Sequence, residues 1–240
     1  MKKKKNNTNS LFIAVTVVLI LIFLISVFYI KYYIEHYGNG NGIVTRYKTE
    51  FYELPKNAND YQIDIYEELA KTCNKIEDFN VDGGLENVAS LVVKSFISDY
   101  FTWSNKRGSY DVGGLDYVFG HQFLNIQAQA RQYYYNDLDI LLDKYGNDNL
   151  PTVTNINIVQ ADHMEDKFKY EYNEFDYSVN EYVTKEEKFD YYMIGATWDY
   201  QEETTYDETN LPNKGMFMVI NRNGRLEIAF YHEDYLVIGD

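Results

Sequence analysis

The chain has 240 residues, 37 acidic against 22 basic side chains, and a formal net charge of −15. Its first 31 residues hold five lysines and no acid, so the remainder carries −20. Nucleic-acid binding needs a basic stripe that displaces counterions, and none exists beyond Lys2–Lys5, which excludes nucleic acid as a partner. The same acidity holds the body of the chain off anionic lipid headgroups.

Leu11–Ile30 is a run of twenty residues without a charge. A helix of that length spans the ~30 Å hydrocarbon core of a bilayer. Lys2, Lys3, Lys4 and Lys5 precede it, so the positive-inside rule predicts a cytoplasmic N-terminus and an outward C-terminal body. A cleaved signal peptide has a shorter apolar core, of about 7–15 residues, and a small-residue cleavage site. Here the run exits into Tyr29, Ile30, Lys31, Tyr32 and Tyr33, which favours a retained anchor. Residues 1–10 are therefore a basic cytoplasmic tail, 11–33 a transmembrane helix, 34–59 a tether, 60–80 an amphipathic helix or stalk, and 81–240 an extracytoplasmic domain. A single cysteine, Cys73, permits no intrachain disulfide, which suits a bacterial envelope protein. The 25 tyrosines fit a carbohydrate-binding surface, but AT-rich coding bias accounts for the same composition.

Gly38, Gly40 and Gly42 make a flexible tether; no strand precedes them and no Lys-Ser/Thr follows, so they form no phosphate loop. From Asp60 to about Asp78, Ile65, Leu69, Cys73 and Ile76 make one apolar stripe, and Asp82-Gly83-Gly84 ends the segment. Leu85–Ser104 is the main helix: Leu85, Val88, Val92, Phe96, Tyr100 and Trp103 recur at helical spacing, and Leu91, Val93, Ile97 and Phe101 widen the face. A short helical piece is predicted around Leu115–Phe119. One further helix is predicted from about His121 to Tyr145, with Phe123, Ile126, Ala130, Tyr134, Leu138, Leu141 and Tyr145 on one face and Gly146 as its stop.

From Thr152 the hydrophobic period changes to 2, the signature of strands. Thr154, Ile156 and Ile158 alternate with asparagines, and Phe168, Tyr170 and Tyr172 alternate with Lys167, Lys169 and Glu171. Phe189–Tyr200 is apolar on both faces, which places it centrally in a sheet. Residues 201–213 read as a loop. Asn223-Gly224 is the favoured two-residue hairpin turn and sets Arg222 opposite Arg225. That register puts Phe217, Val219, Leu226, Ile228 and Phe230 on a core face. Met216, Met218, Ile220, Glu227, Ala229 and Tyr231 fall on the other face, only half of it polar. Met216, Met218, Ile220 and Tyr231 are thus a candidate interface, with coverage by the chain's own loops as the alternative. Helices followed by antiparallel strands give an α+β domain, helices packed on one curved antiparallel sheet.

The segment Asn223, Gly224, Arg225, Leu226, Ile228 and Phe230 resembles the closing hairpin of nuclear transport factor 2-like domains, with leucine at 226 where that family commonly has tryptophan. The order of elements over roughly 85–240 is similar as well. The resemblance implies a cystatin-like cone, a fold that hosts many functions. With the basic tail and single anchor, the layout resembles the inner-membrane assembly-factor family of bacterial type IV secretion and conjugation systems. That resemblance implies a scaffold rather than a catalyst.

Catalytic signatures are sparse. There is no G-x-S-x-G elbow, no S-x-x-K and no P-loop. Asp162-His163-Met164-Glu165-Asp166 and His232-Glu233-Asp234 are metal-like clusters, but neighbours on a strand point to opposite faces, so neither makes a ligand set alone. Cys73 reads as a packed apolar group. No catalytic residue, metal or cofactor is assigned. The expectation is a non-catalytic, single-pass bacterial cell-membrane protein whose outer domain contacts envelope proteins or itself. The alternative is a tethered small-ligand or lyase/isomerase-like pocket, lined by Trp103, Tyr117, His121, Tyr192 and Trp198, with Asp116–His121 or Asp162–His163 as an acid–base pair.

Overall fold

A computed structural model describes residues 46–73, 84–202 and 211–232, together with Thr16 and Ser26, which are helical. The chain divides into two compact units, 1–44 and 45–240. The predicted tail, the membrane span 11–33 and the glycine-rich start of the tether otherwise lie outside the described residues. Among the described residues, no helix is long and apolar enough to cross a membrane.

The second unit is α+β, with helices and an antiparallel sheet sharing one main core. Helix α1 (Asp60–Cys73) opens on a reciprocal cap. The Asn59 N–H donates to Gln62 Oε1 and the Gln62 N–H donates to Asn59 Oδ1, both at 2.9 Å, which satisfies two orphan donors of the first turn. Its stripe of Ile65, Tyr66, Leu69, Ala70 and Cys73 is buried. This helix is therefore part of the core rather than a stalk, and Tyr52, within the expected tether, is buried as well.

Helix α2 (Gly84–Tyr100) packs against α1 on one side and the sheet on the other, which is why its apolar face is so wide. Serines survive in that setting by bonding back to the helix: the Ser90 hydroxyl donates to the Glu86 carbonyl at 2.8 Å and Ser98 to Ser95 at 3.0 Å. At its end, Gln62 Nε2 donates to the Ser98 carbonyl at 2.7 Å and ties the two helices together.

Residues 120–145 depart from the single helix expected. A 3₁₀ turn (Gly120–Gln122) leads into α3 (Phe123–Gln129), a π turn (Ala130–Tyr134), and then a separate α4 (Leu138–Tyr145). The π turn adds a residue to the helical period, which lets the adjacent Tyr134 and Tyr135 both turn inward. Tyr135 is fully buried, donating its hydroxyl to the Tyr100 carbonyl at 2.5 Å and accepting the Gly113 N–H at 3.3 Å. It forms a second core cluster with Trp103, Ala130, Leu138 and Leu150.

Five strands follow: β1 (Val153–His163), β2 (Phe168–Asp176), β3 (Glu181–Tyr200), β4 (Lys214–Arg222) and β5 (Arg225–His232). All pairing is antiparallel, in the order β1-β3-β4-β5 with β2 also on β3. The apolar half of β3 lies between β1 and β4, as its two-faced pattern predicts. Asn223 and Gly224 have φ of 53° and 93°, and Arg222 pairs with Arg225. The hairpin turn is as expected.

Candidate interaction surface

The five residues of the expected pocket do not converge. Tyr117, Tyr192 and Trp198 lie in the main core, Trp103 in the second cluster, and His121 is exposed. Trp198 stacks on Phe101 with centroids 4.6 Å apart, Tyr117 on Tyr52 at 5.4 Å, and Trp103 packs on Tyr134 at 5.0 Å. These rings are packing material, and the chain's wealth of aromatics makes such a cluster hard to tell from a lined cavity by composition.

The imagined acid–base pairs have other partners. Asp116 accepts from Arg225 Nη2 at 3.3 Å and from the Glu53 N–H at 2.7 Å. His121 stacks on Tyr172 and Tyr170, at 4.5 and 5.2 Å. Asp162 accepts from Gln160 Nε2 at 2.6 Å, while the neighbouring His163 ring lies 5.0 Å from Tyr192. Among the described residues no three His, Cys, Asp or Glu side chains are grouped so as to hold a metal. Burial pushes the Cys73 thiol up to about 11, so it is a packed, protonated group at neutral pH.

One charged cluster escaped the sequence reading. Glu227 is buried on β5, with Arg225 Nε 3.3 Å and Arg222 Nη1 4.0 Å from its carboxylate. Burial raises its pKa, partly offset by the two guanidiniums and the Gly120 N–H. Arg225 Nη2 also donates to the Asp116 carbonyl at 2.5 Å, and the Phe119 N–H to the Ile228 carbonyl at 2.9 Å. The cluster clamps the closing hairpin to residues 116–120. Its signal was the spacing Arg222, Arg225, Glu227, three residues that strand alternation places on one face.

The sheet face expected as an interface is rearranged. A β-bulge at Ala229 shifts the ladder, so Val219 pairs with Ile228 but Met218 pairs with Phe230 and Phe217 with Tyr231. Tyr231 therefore belongs to the core side, stacked on Phe217 at 4.7 Å, while Phe230, expected inside, turns outward and is 43% exposed. Ile220 is fully buried in a third cluster with Phe119, Phe189 and Ala229. Met216 is also buried, and Met218 half-buried. The chain's own segment at Phe119 thus covers much of this face, leaving Phe230 and the edge of Met218.

What stands clear of the body is a ribbon. β1 pairs with β3 only as far as Tyr192, and β4 only as far as Asp190. β2 continues alone with Glu181–Phe189 through nine opposed pairs, from Phe168↔Phe189 to Asp176↔Glu181. At about 3.4 Å per residue this two-stranded arm is roughly 25–30 Å long. His121 and Phe119 pack on its base at Tyr170 and Tyr172. Beyond them its far end carries Tyr177, Val179 and Tyr182, exposed at 88%, 57% and 74%. The two tyrosines are held in place: Phe175 meets Tyr177 edge-on at 5.0 Å and Tyr182 at 5.2 Å. The Ser178 N–H and hydroxyl both donate to Asp176 Oδ1, at 2.8 and 2.6 Å, closing the turn. The alternation in 168–172 marked the strand, but nothing local indicated that it would outrun its neighbours. No protein-family model, curated protein or solved structure matches this chain.

Proposed function

We propose that this chain is a single-pass bacterial envelope protein whose outward unit, a nuclear transport factor 2-like cone, is a non-catalytic assembly domain that docks other envelope proteins through the β2–β3 ribbon. The observation that carries this reading is the exposed Tyr177, Val179 and Tyr182, the two rings packed on Phe175, at the end of an arm that has no third strand among the described residues. Isolated two-stranded ribbons are marginal in water, and rigid exposed tyrosines are the side chains that anchor protein interfaces at low entropic cost. The uncharged Leu11–Ile30 run behind four lysines supports the anchor and its orientation. The scaffold of a secretion or conjugation machine is the arrangement of this kind that the layout most resembles.

Two measurements in native cells test it. A Val179→Cys variant should react with a membrane-impermeant maleimide on intact cells, since Cys73 is buried. A photo-crosslinking residue at 182 should give adducts with specific envelope proteins. Labelling only after lysis, or crosslinks absent at 182, overturns the reading.

A further inference from the structure

The ribbon leaves the sheet at a point that its own strands do little to stiffen. Past Tyr192 and Asp190 neither β1 nor β4 pairs with β3, and a two-stranded ribbon is strongly twisted and marginal by itself. The ion pair of Lys167 with Asp190 at this level is half-exposed and holds little. The junction is filled instead by residues 116–121, which reach it from a distant part of the chain. The Phe119 ring is fully buried, edge-on to Tyr170 at 5.1 Å and to Phe189 at 5.5 Å, one residue from each strand of the ribbon. Ile220 of β4 and Ala229 of β5 complete its socket, so one side chain ties the ribbon to the sheet behind it. The His121 ring follows, 5.2 Å from Tyr170 and 4.5 Å from Tyr172. Both residues grip the ribbon in the nearer five of its nine pairs, which leaves the far end clear for contact.

The same segment is fastened to the closing hairpin. The Phe119 N–H donates to the Ile228 carbonyl at 2.9 Å, and Val118 bridges Ile228 in parallel. Arg225 Nη2 donates to the carbonyl and the carboxylate of Asp116, while Arg225 Nε faces the buried Glu227 at 3.3 Å. The Arg222 guanidinium lies over the Phe119 ring, 5.9 Å from its centroid. We propose that residues 116–121 are the lock that aims the docking arm: Phe119 and His121 are positioning residues that fix the direction in which the ribbon leaves the sheet, and the Arg225–Glu227 clasp keeps them seated. The inference rests on the ribbon being the docking arm and adds what sets its direction. An arm held in one direction presents Tyr177 and Tyr182 to a partner with little ordering entropy left to lose, whereas a loose arm would have to be ordered by the partner itself.

Spin labels on the full chain in lipid nanodiscs test the inference, one at Val179→Cys on the ribbon and one at Asp64→Cys, exposed on α1, with Cys73 buried. Double electron–electron resonance should give one narrow distance distribution in the parent. His121→Ala removes an exposed ring and should broaden it, Phe119→Ala should broaden it further, and Phe119→Leu should fall between Phe119→Ala and the parent. Arg225→Met with Glu227→Gln opens the clasp without stranding a buried charge and should broaden it while leaving both rings in place. In cells the same changes should lower the crosslink yield at 182. If Phe119→Ala does not fold, His121→Ala and the clasp pair carry the test. Distributions as narrow as the parent's in both of these would overturn the lock, even with a lowered melting temperature, since packing alone would account for the loss. Broadening with an unchanged crosslink yield at 182 would overturn the aiming role. Failure of the docking reading is distinguishable: a parent without crosslinks at 182 whose variants still broaden removes the partner and leaves the lock standing.

Discussion

The hydroxyl of Tyr52 serves both backbone groups of Leu226, a residue 174 positions away: it donates to the Leu226 carbonyl at 2.7 Å and accepts the Leu226 N–H at 3.1 Å. The tyrosine thereby acts as a one-residue strand on the outer edge of β5, where an open edge would otherwise invite pairing with another chain. Burial holds its phenol well above the ordinary tyrosine value, so it stays protonated and can keep donating. Tyr52→Phe keeps the ring and removes both bonds. We expect a loss of about 1–3 kcal/mol in urea unfolding. An unchanged midpoint would mean that water replaces the hydroxyl and that residues near 52 add little to the core.

Asp99 and Lys106 form a buried ion pair at the end of α2, and Asp99 Oδ2 also accepts the Gly114 N–H at 2.6 Å. Lys106→Met leaves a buried carboxylate without its counter-charge and should cost about 3–5 kcal/mol, partly recovered by adding Asp99→Asn. Gly113 closes the same site. A Cβ there would lie 2.3 Å from the Asp99 carbonyl oxygen, so Gly113→Ala should cost at least about 2 kcal/mol. Chemical denaturation of these variants and of Asp99→Asn alone measures all of this, and additive effects of Lys106→Met and Asp99→Asn would disprove the coupling.

Glu227 makes a signed prediction about pH. Its folded-state pKa is raised above the ordinary 4.5, first by burial and against the pull of Arg225 and Arg222. The folded state therefore holds this proton more tightly than the unfolded chain. The stability it contributes is complete below the unfolded value and is lost as pH rises through the folded one. Stability of Glu227→Gln relative to the parent should accordingly increase from pH 4 to pH 7. A difference that falls over that range would show that the guanidiniums outweigh burial.

The bulge at Ala229 predicts unequal neighbours. Tyr231 stacks on Phe217 and meets Phe101 edge-on at 5.7 Å, whereas Phe230 is the exposed partner of Met218. Tyr231→Ser should cost about 2–3 kcal/mol and Phe230→Ser no more than about 0.5 kcal/mol. The regular ladder expected from the turn alone would reverse that order, so thermal melts of the pair decide between the two registers.

Local chemistry alone determined the α+β order, the strand positions, the central place of residues 189–200 and the Asn223-Gly224 turn with Arg222 against Arg225. Each depends on short-range rules: hydrophobic period, glycine at positive φ, and the alternation of a pleated strand. Tertiary structure alone decided what lies past the reach of those rules. The bulge turns Tyr231 inward in place of Phe230, and the Tyr231 ring stacks on Phe217 and lies over Gly215, which has no Cβ to obstruct it. The π turn at Ala130–Tyr134 breaks the expected long helix where Tyr134 and Tyr135 must both reach the interior. Ile220 is covered because Phe119, a hundred residues earlier in the chain, crosses the sheet there. The arm exists because β1 and β4 stop pairing near Tyr192 and Asp190 while β2 and β3 continue. Where a strand loses its neighbours is a property of the whole sheet, so no window of sequence could state it.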